Sequence, residues 1–327
     1  MSCLMSNKPA VYVTRQLPAP GPSILSTYCH VTMNRSVKPI SKAELLNNIS
    51  EVDSIICMIG DNIDSEVITL AGKRLKLISC YSAGYDHVDI EAAKKKNIVV
   101  TNTPDILSNT TADLTFALIF AISRNVVKGD DCVRSGNWKF GWTPDLLLGH
   151  DVHGKVLGIV GLGEIGTKVG KRGKAFNMNV TYYSRVRKYQ LESEFGFRYV
   201  EFDELLRESD IISIHVDLNK DTMHMFSLNE LKKMKNSAIL INTSRGRVVN
   251  EKDLTHALTN RLIGGAALDV FEEEPISKSN PLLKTSNTVL LPHLGSATHE
   301  TRQRMAEMAA NNVINFFRKT GPIHRVN

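Results

Sequence analysis

The second half of the chain alternates short apolar runs with longer, helix-like segments. The apolar runs are predicted to be strands, at 156–160, 180–183, 211–216, 238–242, 265–270 and 289–291. Strands that are joined by crossovers of helical length pair in parallel. The pattern therefore predicts an α/β fold with a doubly wound parallel sheet, in which ligands bind at the carboxyl ends of the strands.

The first hundred residues repeat this alternation on a smaller scale. Strands are predicted at 10–14, 54–59, 75–80 and 98–101, and helices at 42–49 and 90–96. Longer helices are predicted at 111–124 and 301–319, with a loop at 138–149. Because the alternation occurs on both sides of residue 105, we predict two domains. We expect residues 106–293 to form a cofactor-binding domain. Residues 1–105 and 294–327, on either side of it, would together form a discontinuous substrate-binding domain.

A glycine pattern follows the first strand of the inserted domain. Gly161, Gly163 and Gly166 have G-x-G-x-x-G spacing, directly after the run 156–160 and before a helix-like segment. In this context the first glycine permits a tight turn, the second lets a pyrophosphate approach the backbone, and the third lets the helix pack closely on the strand. Free N–H groups at the helix N-terminus would hold the pyrophosphate. The pattern predicts a dinucleotide-binding Rossmann unit.

The end of the second strand lacks the acidic residue that would bind the adenine ribose 2′-hydroxyl. In its place the chain has Ser184, Arg185, Val186, Arg187 and Lys188. A hydroxyl and three cations suit a 2′-phosphate, so we expect NADPH to be preferred, with NADH as the alternative. Solvated surface cations would give the same pattern.

Composition narrows the class of protein. The 327 residues are 42% hydrophobic and 23% charged, which is ordinary for a globular protein. The net charge of +6 suits an anionic substrate and a phosphorylated cofactor. No basic run points to nucleic acid, and no apolar window is long enough for a membrane span. The first residues, MSCLMSNKPAVYVTR, have no signal-peptide core, so we expect a cytoplasmic protein.

Cysteine and histidine positions predict no metal site. The cysteines, Cys3, Cys29, Cys57, Cys80 and Cys132, are dispersed with no C-x-x-C, and no histidines have H-x-x-x-H spacing. An odd, dispersed set favours reduced thiols. We therefore expect free cysteines that do not cluster.

Three ionisable residues follow consecutive strands of the inserted domain. Arg245 follows AILINTS, Glu274 lies just after GGAALDV, and His293 follows NTVLLP. Arg245 can bind the carboxylate of a 2-oxo acid, and the His293 imidazolium can donate a proton to the carbonyl oxygen as hydride arrives from a nicotinamide. Glu274 would orient the ring and favour its charged form. Taken singly, each also fits a surface cation, a loop histidine or a solvated acidic run.

Four motifs in this order resemble those of the D-2-hydroxyacid dehydrogenases: GLGEIG, NTSRG, LDVFEEEP and LPHLGSAT. The resemblance covers nearly the whole chain. SAGYDHVD resembles the substrate loop of the family, and NTPD with TTAD resembles its interdomain segment. YYSRVRK and GWTPDLLLGHDVHGK are most similar to the glyoxylate/hydroxypyruvate reductase branch.

The resemblance implies roles for individual residues. Arg245, Glu274 and His293 would be catalytic. Ala83, Gly84, Arg245, His293, Ser296 and Trp142 would contact substrate. The cofactor site would comprise Thr111, Gly161, Leu162, Gly163, Glu164, Ile165, Gly166, Ser184, Arg185, Val186, Arg187, Lys188, Asp217, Thr243, Asp269 and Gly295, with Asp269 near the nicotinamide amide. The charge of Asp217 weakens the case for NADPH.

The resemblance also implies an architecture and an assembly. The fold would be two Rossmann- or flavodoxin-like domains with the active-site cleft between them. A homodimer would form through the cofactor domains, with Trp142 either reaching toward the active site of the partner or only packing in the interface. No nucleic acid or membrane partner is implied.

These observations favour one activity and leave two others open. The first hypothesis is NADPH-preferring reduction of glyoxylate and hydroxypyruvate to glycolate and D-glycerate. A second is another D-2-hydroxyacid dehydrogenase, such as phosphoglycerate dehydrogenase. A third is a dinucleotide-sensing transcriptional co-repressor on the same fold, for which peptide binding and nuclear localisation without glyoxylate-dependent NADPH oxidation would be diagnostic.

Overall fold

The computed structural model describes residues 8–327. The strands of this part are β1 (Ala10–Val13), β2 (His30–Met33), β3 (Ser54–Cys57), β4 (Leu77–Cys80), β5 (Val99–Thr101), β6 (Val156–Val160), β7 (Asn179–Tyr183), β8 (Arg198–Tyr199), β9 (Ile211–Ile214), β10 (Ile239–Asn242), β11 (Gly265–Leu268) and β12 (Thr288–Leu290). The helices are α1 (Gly21–Tyr28), α2 (Lys42–Ile49), α3 (Ser65–Leu70), α4 (Ile90–Lys95), α5 (Ser108–Ser123), α6 (Val126–Arg134), α7 (Glu164–Ala175), α8 (Tyr189–Phe195), α9 (Phe202–Glu208), α10 (Leu228–Leu231), α11 (Glu251–Thr259) and α12 (His299–Arg318). Short 3₁₀ turns occupy Gly246–Val248 and Pro281–Lys284.

The chain divides into two compact units. One unit comprises the described residues through Leu107 together with Ser296–Asn327. The other is continuous and comprises Ser108–Gly295. Each unit has its own parallel sheet, so the predicted α/β class with two parallel-sheet domains is confirmed.

The first unit is built on a five-stranded parallel sheet in the order β2-β1-β3-β4-β5. The central strands β3 and β4 are buried along their whole length, as expected for a parallel sheet with helices on both faces. Serine and aspartate caps start three of its helices, because the side chains of Ser41, Asp64 and Asp89 accept N–H groups of the first turn. Helix α12 returns to this unit and packs against α1 and β4.

The second unit is built on a seven-stranded parallel sheet in the order β12-β11-β10-β9-β6-β7-β8. The side chains of β10 alternate between two cores, since Leu240 belongs to one cluster and Ile239 and Ile241 to the other. Strand order reverses between β6 and β9, which are neighbours. In doubly wound sheets the crevice at such a reversal is where dinucleotides bind.

Several elements were missed by the sequence prediction. The structure has a seventh strand, β8, where six strands were predicted, and α1, β2, α3 and α6 were also not predicted. The strands β2 and β8 lie at sheet edges and are only partly buried, so neither shows a continuous apolar run. The predicted strands and helices are present with ends that shift by a few residues, and 138–149 contains no helix or strand, as predicted.

Two further expectations concern the thiols and the membrane. Cys29, Cys57, Cys80 and Cys132 are free, as expected, whereas Cys3 lies outside the described residues. Within residues 8–327 no single helix is long and apolar enough to cross a membrane. The pair α5 and α6 reaches the required length and composition only together, across a bend of 63°.

Candidate active site

The three ionisable residues predicted from the strand ends lie at one edge of the seven-stranded sheet. Arg245, Glu274 and His293 follow β10, β11 and β12, which are consecutive neighbours in the sheet. Because these strands are parallel, their carboxyl ends meet at the same edge. His293 Nδ1 lies 2.7 Å from Glu274 Oε2. The geometry therefore contains a carboxylate–imidazole pair that leaves the other ring nitrogen available.

Glu274 is held as a carboxylate at neutral pH. Burial alone would raise the pKa of Glu274, but the hydrogen bond with His293 and its charge outweigh burial. The Phe271 N–H, which donates to Oε1 at 3.1 Å, and the positive charge of Arg245 lower the pKa further. The net shift of the Glu274 pKa is downward. The contribution of its ionised carboxylate to the stability of the folded state is therefore complete above the ordinary pKa of 4.5, and it is lost as the pH falls through the lowered pKa. A negative charge therefore faces Nδ1 throughout the neutral range and fixes the ring as its Nδ1–H form.

Asp269 anchors the segment that carries His293. Its carboxylate, in a side chain that is 1% exposed, accepts the N–H of Leu294 at 2.6 Å and the N–H of Gly295 at 2.8 Å. Its carbonyl oxygen accepts the N–H of His293 at 2.9 Å. His293 has φ +56°, a left-handed conformation that is unfavourable for a residue with a side chain. These three hydrogen bonds offset that strain and fix the direction of the imidazole.

Burial sets the electrostatics of this anchor. It raises the pKa of Asp269, and the N–H donors of Leu294 and Gly295 together with the charge of His293 oppose the rise. Both carboxylate oxygens of Asp269 are occupied by the backbone of the same loop. In this structure the side chain therefore holds the segment that carries His293. The family resemblance predicts a position near the nicotinamide amide.

Arg245 is positioned by the turn at the end of β10. The Asn242 side chain donates to the carbonyl of Arg245 at 2.9 Å and accepts the N–H of Ser244 at 3.0 Å. Gly246 lies so close to the loop after β11 that a Cβ there would come within 1.9 Å of the Phe271 carbonyl carbon. Only glycine permits this approach, which brings the Arg245 turn against the loop that leads to Glu274.

The acidic run Glu272–Glu274 has structural partners. Besides the Glu274 pair, Glu272 contacts His224, with Nε2 and Oε1 3.1 Å apart, and accepts the N–H of Glu251 at the start of α11. His224 also has a left-handed backbone, with φ +52°. The interpretation of this run as merely solvated is therefore wrong for two of its three residues. The His224–Glu272 pair offers an internal comparison for the His293–Glu274 pair.

The glycine turn after β6 has the shape that a pyrophosphate requires. Gly161 has φ +97°, and a Cβ on Gly166 would lie 2.1 Å from the Gly161 carbonyl oxygen. A Cβ on Gly163, in contrast, would meet nothing within 4 Å, so its outer face is open. Helix α7 begins at Glu164 with no side-chain cap on its first N–H groups. Open space beside uncapped N–H groups at a helix N-terminus fits a dinucleotide phosphate.

The end of β7 supplies fewer free cations than its sequence suggests. Arg187 forms a two-point ion pair with Glu192, with both N–O distances at 2.8 Å. Arg187 and the Tyr182 hydroxyl lower the pKa of Glu192 to about 2, so this pair is complete at neutral pH. The Ser184 hydroxyl donates to the Val186 carbonyl at 2.7 Å.

Two cations at this strand end have no such partner. The side chains of Arg185 and Lys188 are exposed and form no ion pair with any residue in the described range. These two side chains, rather than all three cations, are available to a ribose phosphate.

The remaining predicted cofactor residues of this unit differ in their accessibility. Leu162 is buried in a core cluster and Ile165 packs against it, whereas Glu164 is exposed and pairs with Lys168 at 3.0 Å. Asp217 is exposed. Leu162 therefore can meet a cofactor only through its backbone.

Two buried threonines tie helix α5 to the strand ends. The Thr111 hydroxyl donates to the Gly295 carbonyl at 3.0 Å. The hydroxyls of Thr243 and Thr115 lie 3.1 Å apart. Thr111 thus holds the backbone of the His293 segment, and Thr115 contacts the side chain of Thr243 in the Arg245 turn.

Comparison with known proteins decides the family. Residues 116–295 match the D-isomer specific 2-hydroxyacid dehydrogenase, NAD binding domain. The chain belongs to the D-isomer-specific 2-hydroxyacid dehydrogenase family. As a dehydrogenase of this family it is an oxidoreductase with a nicotinamide-dinucleotide-binding domain.

Several relatives of the chain are named for one substrate. The dehydrogenase is 48% identical to the glyoxylate reductase of Thermococcus litoralis over 323 residues, covering 98% of this chain and 97% of the relative. It is 46% identical to the glyoxylate reductase of Korarchaeum cryptofilum over 320 residues, with 98% and 96% covered. A solved NADPH-dependent glyoxylate/hydroxypyruvate reductase of Sinorhizobium meliloti, in complex with NADP and malonate, superposes with a TM-score of 0.88 at 27% identity, covering 98% of this chain and 97% of that one.

The predicted substrate residues of the first unit lie in the loop after β4 and near the start of α12. The Ala83 carbonyl accepts from Asn102 Nδ2 at 2.7 Å, and the Gly84 carbonyl accepts from the Ser82 hydroxyl at 2.6 Å. Among the described residues, the N–H groups of Ala83 and Gly84 donate to no acceptor. Ser296 is half-buried, and its carbonyl accepts from Arg302 Nε at 3.2 Å.

Trp142, in contrast, belongs to the second unit. It lies in the loop after α6 with 83% of its surface exposed. Within one chain this side chain is therefore not part of the strand-end cluster.

Two features of the dehydrogenase were missed by the sequence analysis. The anchoring role of Asp269 depends on backbone N–H groups more than twenty residues away, which no residue pattern specifies. The expectation that cysteines do not cluster is wrong, because Cys57 and Cys80 lie side by side with Sγ atoms 3.9 Å apart. The available signal was that each ends an apolar strand of the same sheet, and in the structure they are register partners.

The Glu274–His293 pair predicts a loss of turnover when the carboxylate is removed. In Glu274→Gln the amide no longer holds Nδ1–H with a negative charge, so the ring loses its fixed orientation and the kcat of the reduction should fall about 10–100-fold. Steady-state rates at neutral pH measure this loss. The matched control is Glu272→Gln, which changes the partner of His224 and should keep the kcat of the unaltered protein. An unchanged kcat in Glu274→Gln would contradict the pairing role.

Proposed function

We propose that this dehydrogenase reduces glyoxylate, and also hydroxypyruvate, to glycolate and D-glycerate. The observation that carries the proposal is the His293–Glu274 pair beside the charge of Arg245 at neighbouring strand ends. The glyoxylate reductases that match nearly the whole chain at 46–48% identity support the choice of substrate. Reduction of a 2-oxo acid needs one cation for the carboxylate and one proton donor for the carbonyl, and this set supplies both.

Each residue of the set has a distinct role in this proposal. A bound nicotinamide dinucleotide supplies the hydride for the carbonyl carbon. The Arg245 guanidinium binds the substrate carboxylate and polarises the carbonyl. His293 holds the proton on Nε2 and donates it to the carbonyl oxygen, while the Glu274 carboxylate stabilises the charged ring. The resemblance to the family also assigns Ala83 and Gly84 to substrate binding, and their uncommitted N–H groups suit a carboxylate oxygen.

NADPH is the proposed preferred cofactor. Arg185 and Lys188 are exposed cations without an ion pair in the described chain, and no acidic side chain ends β7. A 2′-phosphate carries the charge that these two side chains would neutralise. Arg187 contributes less, because Glu192 already neutralises it.

A homodimer is the proposed assembly. Exposed apolar side chains are concentrated on α6 and the loop that follows it: Val126, Val127, Val133, Trp138, Phe140, Trp142, Leu146, Leu147 and Leu148. A concentration of exposed apolar side chains in one segment is typical of a protein interface. Phe140 and Trp142, with 86% and 83% exposed, are the most exposed of these side chains.

Two competing activities stay distinguishable by experiment. A phosphoglycerate dehydrogenase would be most active with 3-phosphohydroxypyruvate or, in reverse, 3-phosphoglycerate. A co-repressor would bind peptides and locate to the nucleus with negligible glyoxylate-dependent oxidation of NADPH.

The roles of Arg245 and His293 predict different kinetic defects. His293→Ala should lower kcat about 10²–10⁴-fold, because the proton donor is lost. Arg245→Ala should raise KM for glyoxylate about 10–100-fold, because a charge-assisted hydrogen bond to the carboxylate is lost. Arg247→Ala, an exposed arginine in the same turn, and His224→Ala, the histidine of the second carboxylate pair, should behave like the wild-type protein. Wild-type turnover in His293→Ala would refute the proton-donor role.

The cofactor proposal predicts a selective effect of one cation. Arg185→Ala should raise KM for NADPH about tenfold and leave KM for NADH nearly unchanged, because only NADPH carries the 2′-phosphate. Arg207→Ala, an exposed arginine on α9, serves as the control. An equal rise in KM for NADPH and NADH in Arg185→Ala would contradict the preference for NADPH. A higher kcat/KM with NADH than with NADPH in the unaltered protein would also contradict it.

The assembly proposal predicts a charge-sensitive dimer. Sedimentation equilibrium should give twice the mass of one chain, and Phe140→Asp should shift the protein toward the monomer because a buried charge is unfavourable in an interface. Val37→Asp is the matched control, since Val37 is equally exposed (86%) but lies in the first unit. A monomeric wild-type protein would exclude the dimer.

A further inference from the structure

Three metal-ligating side chains meet at the carboxyl end of the five-stranded sheet. Cys57 ends β3, Cys80 ends β4, and His87 lies in the loop after β4. Cys57 and Cys80 are register partners on neighbouring strands, and both are fully buried. Their Sγ atoms lie 3.9 Å apart, and His87 Nε2 lies 3.6 Å from Cys57 Sγ. All three ligand atoms lie within 4.8 Å of one another.

These distances are those of a coordination shell. With Zn–S bonds of about 2.3 Å and a Zn–N bond of about 2.05 Å at tetrahedral angles, two sulfurs lie about 3.8 Å apart and sulfur and nitrogen about 3.5 Å apart. The two distances observed here, 3.9 Å and 3.6 Å, differ little from these values. Two of the three distances between ligand atoms therefore match a tetrahedral site, and the third lies within 4.8 Å.

We propose that Cys57, Cys80 and His87 form a binding site for a thiophilic divalent cation of the zinc class. Two thiolates and one imidazole are the donor set that such ions prefer over hard cations. The three protein ligands leave a fourth position for a further ligand. This site belongs wholly to the first unit and does not depend on the proposed function.

Charge balance makes such a site compatible with its buried position. Cys57 and Cys80 are both fully buried. Cysteine coordinates a metal ion as the thiolate, so two thiolates and a cation of charge two form a locally neutral site. This neutrality lowers the cost of placing the ion in an apolar core.

The site would also tie a loop to the sheet. The carbonyl of His87 accepts the N–H of Ile63 at 2.9 Å, and the N–H of Asp89 donates back to the carbonyl of Ile63. A metal bond from the His87 side chain to the ends of β3 and β4 adds a second attachment. Because ion binding favours the folded state, the melting temperature should rise when the cation is added.

A disulfide between the two cysteines is the main alternative. Neighbouring strands lie about 4.8 Å apart, which is within the range that a disulfide bridges. The sulfurs would have to approach to about 2.05 Å, and His87 would have no part in the product. The requirement for His87 therefore separates a metal site from a redox pair.

The test is a metal titration of the full chain. The protein is reduced with a phosphine, freed of metal, and titrated with Cd²⁺ while thiolate-to-metal charge-transfer absorption is recorded; Zn²⁺ affinity follows by competition. We expect one equivalent per chain, no charge-transfer band in Cys57→Ser or Cys80→Ser, and at least about tenfold weaker Zn²⁺ binding in His87→Gln. Cys29→Ser and Cys132→Ser, which alter free cysteines outside the cluster, should bind like the unaltered protein.

Several results would overturn the proposal. The first is the absence of stoichiometric metal binding by the unaltered protein. The second is a charge-transfer band that persists in Cys57→Ser and Cys80→Ser. The third is a loss of metal binding in Cys29→Ser and Cys132→Ser as large as in the cluster variants. Loss of two titratable thiols on air oxidation with no metal bound would replace the metal site by a disulfide. Circular dichroism checks the fold of each variant, and if the buried cysteine variants do not fold, full Zn²⁺ affinity in His87→Gln, a change in a half-buried loop, refutes the site.

Discussion

The carboxylate of Asp269 is the interaction on which the candidate active site depends. It is buried and accepts two backbone N–H groups from Leu294 and Gly295, while its own carbonyl receives the N–H of His293. Without these bonds the left-handed conformation of His293 would have no compensation. With them the imidazole is directed at Glu274, which holds one ring nitrogen and leaves the other available. The chemistry proposed for this dehydrogenase thus begins with a structural carboxylate that need not touch the substrate.

Sheet order explains why the remaining groups assemble around that anchor. The strands β10, β11 and β12 are adjacent and parallel, so the turns after them converge whatever their separation in sequence. At the reversal of strand order beside β6, the glycine turn leaves an open face at Gly163 and uncapped N–H groups on α7. The ion pair between Arg187 and Glu192 fixes the end of β7 and leaves Arg185 and Lys188 as exposed cations. One unit therefore carries both the His293–Glu274 pair and the features that fit a dinucleotide.

The buried strands and their carboxyl-end residues could be predicted because parallel strands read as continuous apolar runs. The runs at β6, β10 and β11 were predicted on that basis, and so were Arg245, Glu274 and His293 as residues of one edge. The edge strand β2 was missed because its side chains alternate between partly buried and exposed. β8 has only two residues and gives no periodic signal.

Contacts between side chains and backbone groups of different segments were less predictable than the helices and strands. The two-point pair of Arg187 with Glu192 joins the turn after β7 to α8 at a spacing of five residues, which is not a helical spacing. It changes which cations are available to a ribose phosphate. The Cys57–Cys80 contact depends on the register of β3 and β4, which sequence spacing does not encode. Backbone acceptors and donors, such as those around Asp269, leave no residue signature at all.

The most direct test of the central claim is the loss of reduced-nicotinamide absorbance in the presence of the purified full chain. Initial rates are measured with glyoxylate, hydroxypyruvate and 3-phosphohydroxypyruvate, each with NADPH and with NADH. We expect substrate-dependent oxidation of the cofactor with glyoxylate and with hydroxypyruvate, and a higher kcat/KM with NADPH than with NADH. Folded protein that binds the dinucleotide but oxidises neither cofactor with any of these 2-oxo acids would contradict it.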